Sequence, residues 1–276
     1  MNAVRAKTPL ALLAATLIVF CGMQLFPFYI AITTAAKSPS DLSPQYALPF
    51  SRLTFDNFRM AVVDGGILRS VLNTAIVTAV STALVCGLGA LAAYPLARRR
   101  TVLNKAVSMG MTALIMIPPL SILVPLYSLL ADIHALNTYW GIILVQVTTQ
   151  MPLAIFLYTA FIRSIPLSLE EAAAIDGART FQVFVRVVLP LLKPVTATVI
   201  ILTSVNVWNE YALSGYILTD PSVKTIAPTI ASFFSQNTSN LGAAAAASLI
   251  AVVPVLIAFL LLQNYFIKGM LAGAEK

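Results

Sequence analysis

The residues that perform catalysis in soluble enzymes are scarce in this chain. There is one histidine, His134, and there are two cysteines, Cys21 and Cys86, both inside long apolar stretches. The sequence contains neither a G-x-S-x-G nucleophile elbow nor a G-x-x-x-x-G-K-[ST] phosphate-binding loop. We therefore expect no catalytic, metal or cofactor site in the chain itself. Any ATP and Mg²⁺ that the protein needs would be bound by another chain.

One short stretch of the sequence resembles a cofactor-binding motif. The stretch 86–92 resembles the G-x-G-x-x-A of dinucleotide-binding loops, but it lies in an apolar run with no strand before it. Small residues recur here every four positions, which lets helices approach closely. We expect them to pack against another span of this chain or against another membrane-spanning chain. They form two rows: Ala79, Ala83, Gly87 and Gly89, Ala93, Ala97.

The composition places the chain in a membrane. Of its 276 residues, 59% are hydrophobic and 10% are charged, whereas soluble domains have about 45–50% apolar and about 25% charged residues. A soluble enzyme, a disordered protein and a nucleic-acid-binding domain are therefore excluded. Six stretches are long enough to cross about 30 Å of hydrocarbon as helices. They are Leu10–Ile32, Ser70–Ala97, Ala106–Leu130, Tyr139–Ile162, Leu191–Tyr211 and Ala243–Ile267.

The fold class predicted from these spans is an all-α membrane protein with six transmembrane helices. If the N-terminus is cytoplasmic, 12 of the 17 lysines and arginines lie on the cytoplasmic side, so both termini are predicted to be cytoplasmic. This topology accounts for most of the net charge of +7 without a nucleic-acid partner. The predicted segments are a first, uncleaved helix (1–35), an outer loop (36–68), a core of five helices (69–267) and an inner tail (268–276). The cytoplasmic set is Arg5, Lys7, Arg98, Arg99, Arg100, Lys105, Arg163, Arg179, Arg186, Lys193, Lys268 and Lys276; the outer set is Lys37, Arg52, Arg59, Arg69 and Lys224.

The inner loop 163–193 is long for a simple connection between two spans. Ser168 and Glu171 have the spacing of a capping box, and three alanines follow that favour helix. Gly177 suits the left-handed residue that ends a helix, and Thr180 is placed to cap a second short one. The sequence predicts a helix–turn–helix at the cytoplasmic face. On these grounds alone, a hairpin that merely links two spans is an equally good interpretation.

The same loop carries a specific resemblance. Glu171-Ala172-Ala173, then Gly177, then Val187-x-Leu189-Pro190 resembles the signature loop of ABC importer permeases, E-A-A-x3-G-x9-I-x-L-P, with Val187 in place of Ile. The longer run 170–178 resembles the carbohydrate-uptake branch, typified by the second permease subunit of maltose-type systems. The similarity extends from about Pro49 to the end of the chain. Further matching stretches are Pro125-Leu126-Tyr127, Leu136-Asn137-Thr138, 208–211 and 265–274.

The resemblance implies a type I ABC importer permease fold in a bacterial cytoplasmic (inner) membrane. The chain would form half of the path for a sugar or sugar-like solute. Its partners would be a second permease subunit, two ATPase subunits and an extracytoplasmic solute-binding protein or lipoprotein. A coupling helix would dock on an ATPase through Glu170, Glu171, Ala172, Ala173, Asp176 and Gly177. Glu171 would contact the ATPase as well as cap the helix, while Asp176 would either contact the ATPase or support the turn.

Glu210, at the outer end of the fifth span, is the acid closest to the membrane interior. Ionisable residues there are functional candidates, so Glu210 would line the sugar path or outer gate, or else have a structural, interfacial role. Asn206, Trp208 and Asn209 accompany it, because amides suit sugar hydroxyls and an indole suits a sugar face.

Prolines are expected to interrupt two of the spans. Pro118, Pro119 and Pro125 are predicted to break span three and Pro254 to interrupt span six, giving kinks that line the path. The alternative function is a stand-alone secondary transporter or channel. It would require intramembrane charges for ion coupling, for which Glu210 is the single candidate, or an inverted repeat.

Overall fold

The structure is a computed structural model that describes residues 7–38, 40–41, 43–49, 53–235 and 238–274. The predicted topological positions of Arg5, Arg52 and Lys276 lie outside these residues. Among the described residues the regular structure is helical, apart from one short hairpin. In chain order the elements are α1 (Lys7–Ala36), α2 (Asp56–Arg59, continued by a π turn Met60–Asp64), α3 (Ile67–Arg98), α4 (Val102–Ile115), a 3₁₀ turn (Pro119–Ile122), α5 (Leu123–Asp132), α6 (Tyr139–Ser164), α7 (Ser168–Ile175), α8 (Thr180–Val183, continued by a π turn Phe184–Val188), α9 (Leu189–Leu191), α10 (Lys193–Trp208), α11 (Ser214–Ile217), α12 (Ile226–Ser232), β1 (Phe234–Ser235), β2 (Thr238–Ser239) and α13 (Leu241–Ala274).

Four of the six predicted spans are single long helices, and the other two fall on pairs of helices joined at a sharp bend. Four helices in the described residues are long and apolar enough to cross a bilayer, within α1, α3, α6 and α13. The predicted third span is a pair, α4 and the segment Pro119–Asp132, bent by 101°. The predicted fifth span, Leu191–Tyr211, is the helix Lys193–Trp208, which meets the preceding segment Thr180–Leu191 at 73°. Counting each bent pair as one span gives six.

The prolines behave differently according to their position. The third span breaks just before Pro118, whose backbone is extended, as predicted for Pro118 and Pro119. The prediction for Pro125 is wrong, because it lies in the first turn of α5, where no amide hydrogen is needed. The prediction for Pro254 is also wrong, because α13 continues through it. Spanning helices tolerate proline when neighbouring groups satisfy the freed carbonyl.

By contacts within the chain, it divides into two units: residues 1–68 with 229–258, and residues 69–228 with 259–276. In the first unit, Asn57 of α2 contacts the end of α1. The amide of Asn57 donates hydrogen bonds to the carbonyls of Ala35 (2.9 Å) and Lys37 (2.6 Å). Gly242 lies against the same amide, and a Cβ there would be 2.5 Å from the Asn57 oxygen. Asn57 therefore fixes the turn that leaves the first helix.

The second unit contains two buried apolar clusters that hold its helices together. One joins α3, α6 and the segment after α7 around the fully buried Tyr158. Gly89 packs directly against Ala154 and Tyr158, and Ala93 is fully buried, so one row of small residues packs within the chain as predicted. The other row, with Ala79, Ala83 and Gly87, is exposed. The second cluster is Val77, Leu130, Ala135, Ile142, Val145, Val207, Leu213, Ile217 and Leu218.

Candidate functional site

The inner loop folds as two short helices joined by a tight turn. The first, α7, ends in a Schellman motif: the Ala178 amide donates to the Ala173 carbonyl (3.0 Å) and the Gly177 amide to the Ala174 carbonyl (3.0 Å). Gly177 has a φ of +83°, the left-handed conformation that a side chain disfavours. The predicted helix stop at Gly177 is confirmed, and the turn sets the direction of the chain into α8.

The beginning of α7 differs from the prediction. Leu167 is the N-cap with helical backbone angles, and its carbonyl accepts from the amides of Glu170 (2.9 Å) and Glu171 (3.0 Å). Ser168 is already inside the helix, whereas a side-chain cap needs an extended backbone. The predicted capping box between Ser168 and Glu171 is therefore absent.

The cap of α8 also differs from the prediction. Arg179 occupies the N-cap, so Thr180 is the first helical residue and not the cap. The side-chain oxygen of Gln182 accepts a hydrogen bond from the Arg179 amide at 2.8 Å. This bond satisfies one of the amides that the start of a helix leaves free.

Glu170 anchors α7 to the end of α3. Its carboxylate forms an ion pair with Arg98, with Nε and Nη2 at 2.7 and 2.6 Å, and accepts a hydrogen bond from the Tyr94 hydroxyl at 2.7 Å. Arg98 also donates to the Ile165 carbonyl at 3.1 Å. The side chains of Glu170 and Arg98 are 8% and 15% exposed, so water screens the pair poorly. The Tyr94 ring contacts Phe184 of the π turn, so both halves of the loop rest on α3.

The opposite face of α7 is exposed. Glu171, Ala172 and Asp176 are all accessible, and Ala173 is half-buried against the core. Two large apolar side chains also project from the tip of the loop: Ile175 is 86% exposed and Phe181 is 69% exposed. Of the six residues predicted to form this site, five line or shape the accessible tip. Glu170 faces inward and holds the helix in place.

The outer candidate, Glu210, closes a turn. Its carboxylate accepts hydrogen bonds from the amides of Leu213 (2.6 Å) and Ser214 (2.9 Å) and from the Ser214 hydroxyl. The buried Gln146 of α6 donates to it at 3.2 Å. These contacts account for its acceptor oxygens with groups of the fold, which favours the structural role over the sugar-path role.

Of the other outer candidates, Asn206 and Trp208 lie in the last turn of α10, and Asn209 follows as its C-cap, directly before Glu210. Asn209 is exposed and donates to the Val205 carbonyl of its own helix at 2.8 Å. Asn206 is exposed and Trp208 is half-buried.

Arg98 and Tyr94 hold Glu170 in place, and the sequence did not predict this contact. Arg98 begins a run of three arginines directly after a span, and such a run signals only a membrane anchor. Ile175 was also missed, although an isoleucine beside the helix-ending Asp176-Gly177 is a weak sign of an apolar tip. Among the described residues, no group of three or more His, Cys, Asp or Glu is placed to hold a metal ion.

Comparisons with known proteins agree with this architecture. The family model described as "binding-protein-dependent transport system inner membrane component" matches residues 86–271. The melibiose/raffinose/stachyose import permease protein MelC of Bacillus subtilis is 43% identical over 277 aligned positions and all of both chains. The trehalose transport system permease protein SugB of Mycobacterium tuberculosis is 33% identical, with 92% of this chain and 93% of SugB covered.

Solved structures show the same fold. A chain of a bacterial ABC transporter that imports the acidic polysaccharide alginate superposes with a TM-score of 0.77 at 21% identity, covering 95% of this chain and 98% of that one. A chain of the MetNI methionine ABC transporter gives a TM-score of 0.60 at 18% identity, covering 74% of this chain and 95% of that one.

Proposed function

This chain belongs to the binding-protein-dependent transport system inner membrane components, and from that premise we propose how it is coupled and what it carries. It is a multi-pass membrane protein and a permease subunit of an ABC importer. It is a transport subunit and not an enzyme, and ATP hydrolysis belongs to a separate subunit.

The tip of the inner loop is the docking surface for the ATPase. The observation that carries this proposal is the division of α7 into two faces, a buried one that holds Glu170 and an exposed one that presents Ile175. Ile175 and Phe181 are exposed on either side of the turn at Gly177, and exposed apolar patches mark sites of protein contact. Ile175 and Phe181 would fill the groove of the ATPase, with Glu171 and Asp176 at the polar rim.

The anchoring explains how movement would reach the spans. The helix α7 is joined covalently to α6 on one side and, through α8 and α9, to α10 on the other. The Glu170–Arg98 pair adds a third connection, to α3. When two ATPase subunits close on ATP, a push on α7 would therefore be shared by three spans. The ATP and Mg²⁺ would be bound by the ATPase, and this chain would transmit the movement of the ATPase to its spans.

The proposed assembly contains a second permease subunit, two ATPase subunits and an extracytoplasmic solute-binding protein. One relative in fold is an alginate ABC transporter solved with a periplasmic protein bound to an alginate pentasaccharide. The excess of lysine and arginine on one side supports cytoplasmic termini and a place in the bacterial inner membrane. In that orientation the Glu170 anchor lies at the cytoplasmic face and Glu210 at the outer face.

The solute is proposed to be an oligosaccharide. The relative with 43% identity over its whole length is named for melibiose, raffinose and stachyose, and others at 31–33% are named for starch degradation products and trehalose. Raffinose is therefore the first solute to test. Labelled raffinose uptake should be lost when the gene is deleted and restored by the chain, with excess melibiose competing. Uptake that is unchanged by the deletion would overturn this choice of solute.

The docking surface is tested by introducing a charge at the tip. Ile175→Asp should insert normally but lose the ATPase when the tagged chain is purified gently from its native membrane and its partners are identified by mass spectrometry. Phe55→Asp is the matched control, because Phe55 is 81% exposed but lies in the loop before α2. Equal ATPase recovery with both variants would contradict the docking surface. A wild-type chain that purified alone would contradict the importer assembly.

A further inference from the structure

A large basic cleft lies where three spans end. It has a volume of about 990 Å³ and is formed by the end of α3, one side of α4 along its whole length and the end of α6. Five cationic side chains line it and no acidic one does: Arg98, Arg99, Arg100, Lys105 and Arg163. Arg98 is neutralised by Glu170, but no described acid lies within ion-pair distance of the other four. The cleft therefore has a strong, uncompensated positive charge.

A smaller cavity adjoins the cleft between α4 and α6. It has a volume of about 130 Å³ and shares Ser108, Thr112 and Arg163 with the cleft. Two hydroxyl oxygens that line this cavity, Ser108 Oγ and Thr159 Oγ1, are buried without a hydrogen-bond partner among the described residues. Thr159 is 7% exposed. Buried hydroxyls normally have a partner, and these two line a cavity that has room for the polar group of a bound molecule.

The wall of the cleft changes from charged to apolar along α4. Lys105, Ser108, Met109, Thr112, Ala113 and Met116 follow one another at helical spacing on the cleft side. From Lys105 to Met116 the stripe runs about 16 Å along the helix. Met109 and Met116 are 65% and 82% exposed. The site thus has cations at one end, hydroxyls one turn deeper and a long apolar strip beyond.

We propose that this cleft binds an anionic phospholipid, with its phosphate on Arg99, Arg100, Lys105 and Arg163. The glycerol and ester groups, which lie just below the phosphate in a phospholipid, would meet the unpartnered hydroxyls of Ser108 and Thr159. An acyl chain would run along the apolar strip of α4. Basic pockets between transmembrane helices are known to bind anionic headgroups. In the proposed orientation, the lipid belongs to the cytoplasmic leaflet.

The apolar strip is what identifies a lipid. A soluble phosphate would need only the cations and would leave Met109 and Met116 without a partner. The alignment of α4 with the predicted span also places the strip at membrane depth, where acyl chains are the surrounding solvent. The charge, the hydroxyls and the strip occur in the order in which a phospholipid presents its own groups.

The test is native mass spectrometry of the delipidated importer complex titrated with phosphatidylglycerol or with phosphatidylcholine. We expect a saturable adduct with phosphatidylglycerol only. The triple variant Arg99→Gln, Arg100→Gln, Lys105→Gln should bind it at least tenfold more weakly, because each cation near an anionic headgroup contributes about a fivefold gain in affinity. The matched control, Arg59→Gln, Arg69→Gln, Lys224→Gln, removes the same charge outside the cleft and should bind as the unmodified complex does.

A second variant tests the hydroxyl cavity without changing any charge. Ser108→Leu should fill the space below the cations and lower phosphatidylglycerol affinity while the complex stays assembled. Equal binding of the two lipids, or equal loss in the cleft variant and the control variant, would overturn the proposal. Displacement of the adduct by millimolar inorganic phosphate would also overturn it, by showing that the site takes free phosphate.

Discussion

Glu170, in the inner loop before α10, and Glu210, just after α10, both hold the chain in place, but they form different kinds of contact. Glu170 reaches another helix, where Arg98 and Tyr94 lie more than 70 residues away in sequence. Glu210 bonds mainly to groups three and four residues further along, at Leu213 and Ser214, and to one amide of α6. The first is an ion pair between elements, and the second is a turn held by neutral donors.

The two contacts therefore suit different roles, one in orienting α7 and one in fixing a turn. The pair at Glu170 fixes the orientation of a helix whose other face is exposed, so in the proposed mechanism a force on that face would reach α3. The carboxylate at Glu210 mainly fixes the local path of the chain into α11, with one neutral hydrogen bond from Gln146 of α6. We therefore expect changes at the inner end to alter coupling to ATP hydrolysis, and changes at the outer end to alter stability alone.

Breaking the inner pair should have the largest effect. Arg98→Ala leaves the Glu170 carboxylate buried beside Tyr94 without its cation, which typically costs about 3–5 kcal/mol. The complex should melt at a lower temperature, and the ATPase activity that remains should no longer depend on solute. Thermal denaturation and solute-stimulated ATPase activity of the purified complex measure the two effects.

Removing both charges of the inner pair provides the control. Arg98→Met with Glu170→Met should recover most of the lost stability, because no charge is then buried alone. Glu171→Met, on the exposed face of α7, should change stability by about 0.5 kcal/mol or less. If Arg98→Ala and Glu171→Met lowered the melting temperature equally, the result would contradict the claim that the Glu170–Arg98 pair anchors α7.

Glu210→Ala should have an intermediate effect. It leaves the amides of Leu213 and Ser214 and the buried Gln146 without their acceptor, a loss of about 1–3 kcal/mol in the free energy of unfolding. The KM for solute uptake should stay unchanged at a temperature where the variant is folded. Asn209→Ala is the control, since its side chain bonds only within its own helix. A raised KM with normal stability would instead place Glu210 in the solute path.

The smallest expected effect comes from comparing Gly177, in the turn that ends α7, with a glycine inside a helix. Gly177→Ala forces a side chain into the left-handed region, at a cost of about 1–2 kcal/mol. Gly110→Ala, within α4, should instead stabilise by about 1 kcal/mol, because alanine favours helix. An added Cβ meets nothing within 4 Å at either glycine, so steric contacts do not distinguish them and their backbone conformations do. Equal shifts in the two melting temperatures would contradict the role of the turn.

Local patterns predicted the features that depend on neighbouring residues. The apolar stretches predicted where the long helices lie, and Gly177 predicted where α7 ends. The capping prediction at Ser168 failed because the helical backbone already begins at Leu167, which no spacing rule reveals. The anchor was also beyond sequence reasoning, since nothing in the run of three arginines distinguishes Arg98 from its neighbours. Only the packing of α3 against the loop brings it to Glu170.

Photo-crosslinking from the tip of the inner loop tests the central claim most directly. The photoreactive residue p-benzoylphenylalanine would be placed at position 175 in the assembled importer, with position 216 as the control. Tyr216 is also exposed but lies in α11, beside the Glu210 turn. We predict a crosslink from position 175 to the ATPase subunit and none from position 216. An importer that transports normally but gives no ATPase crosslink from position 175 would contradict the coupling role of this helix.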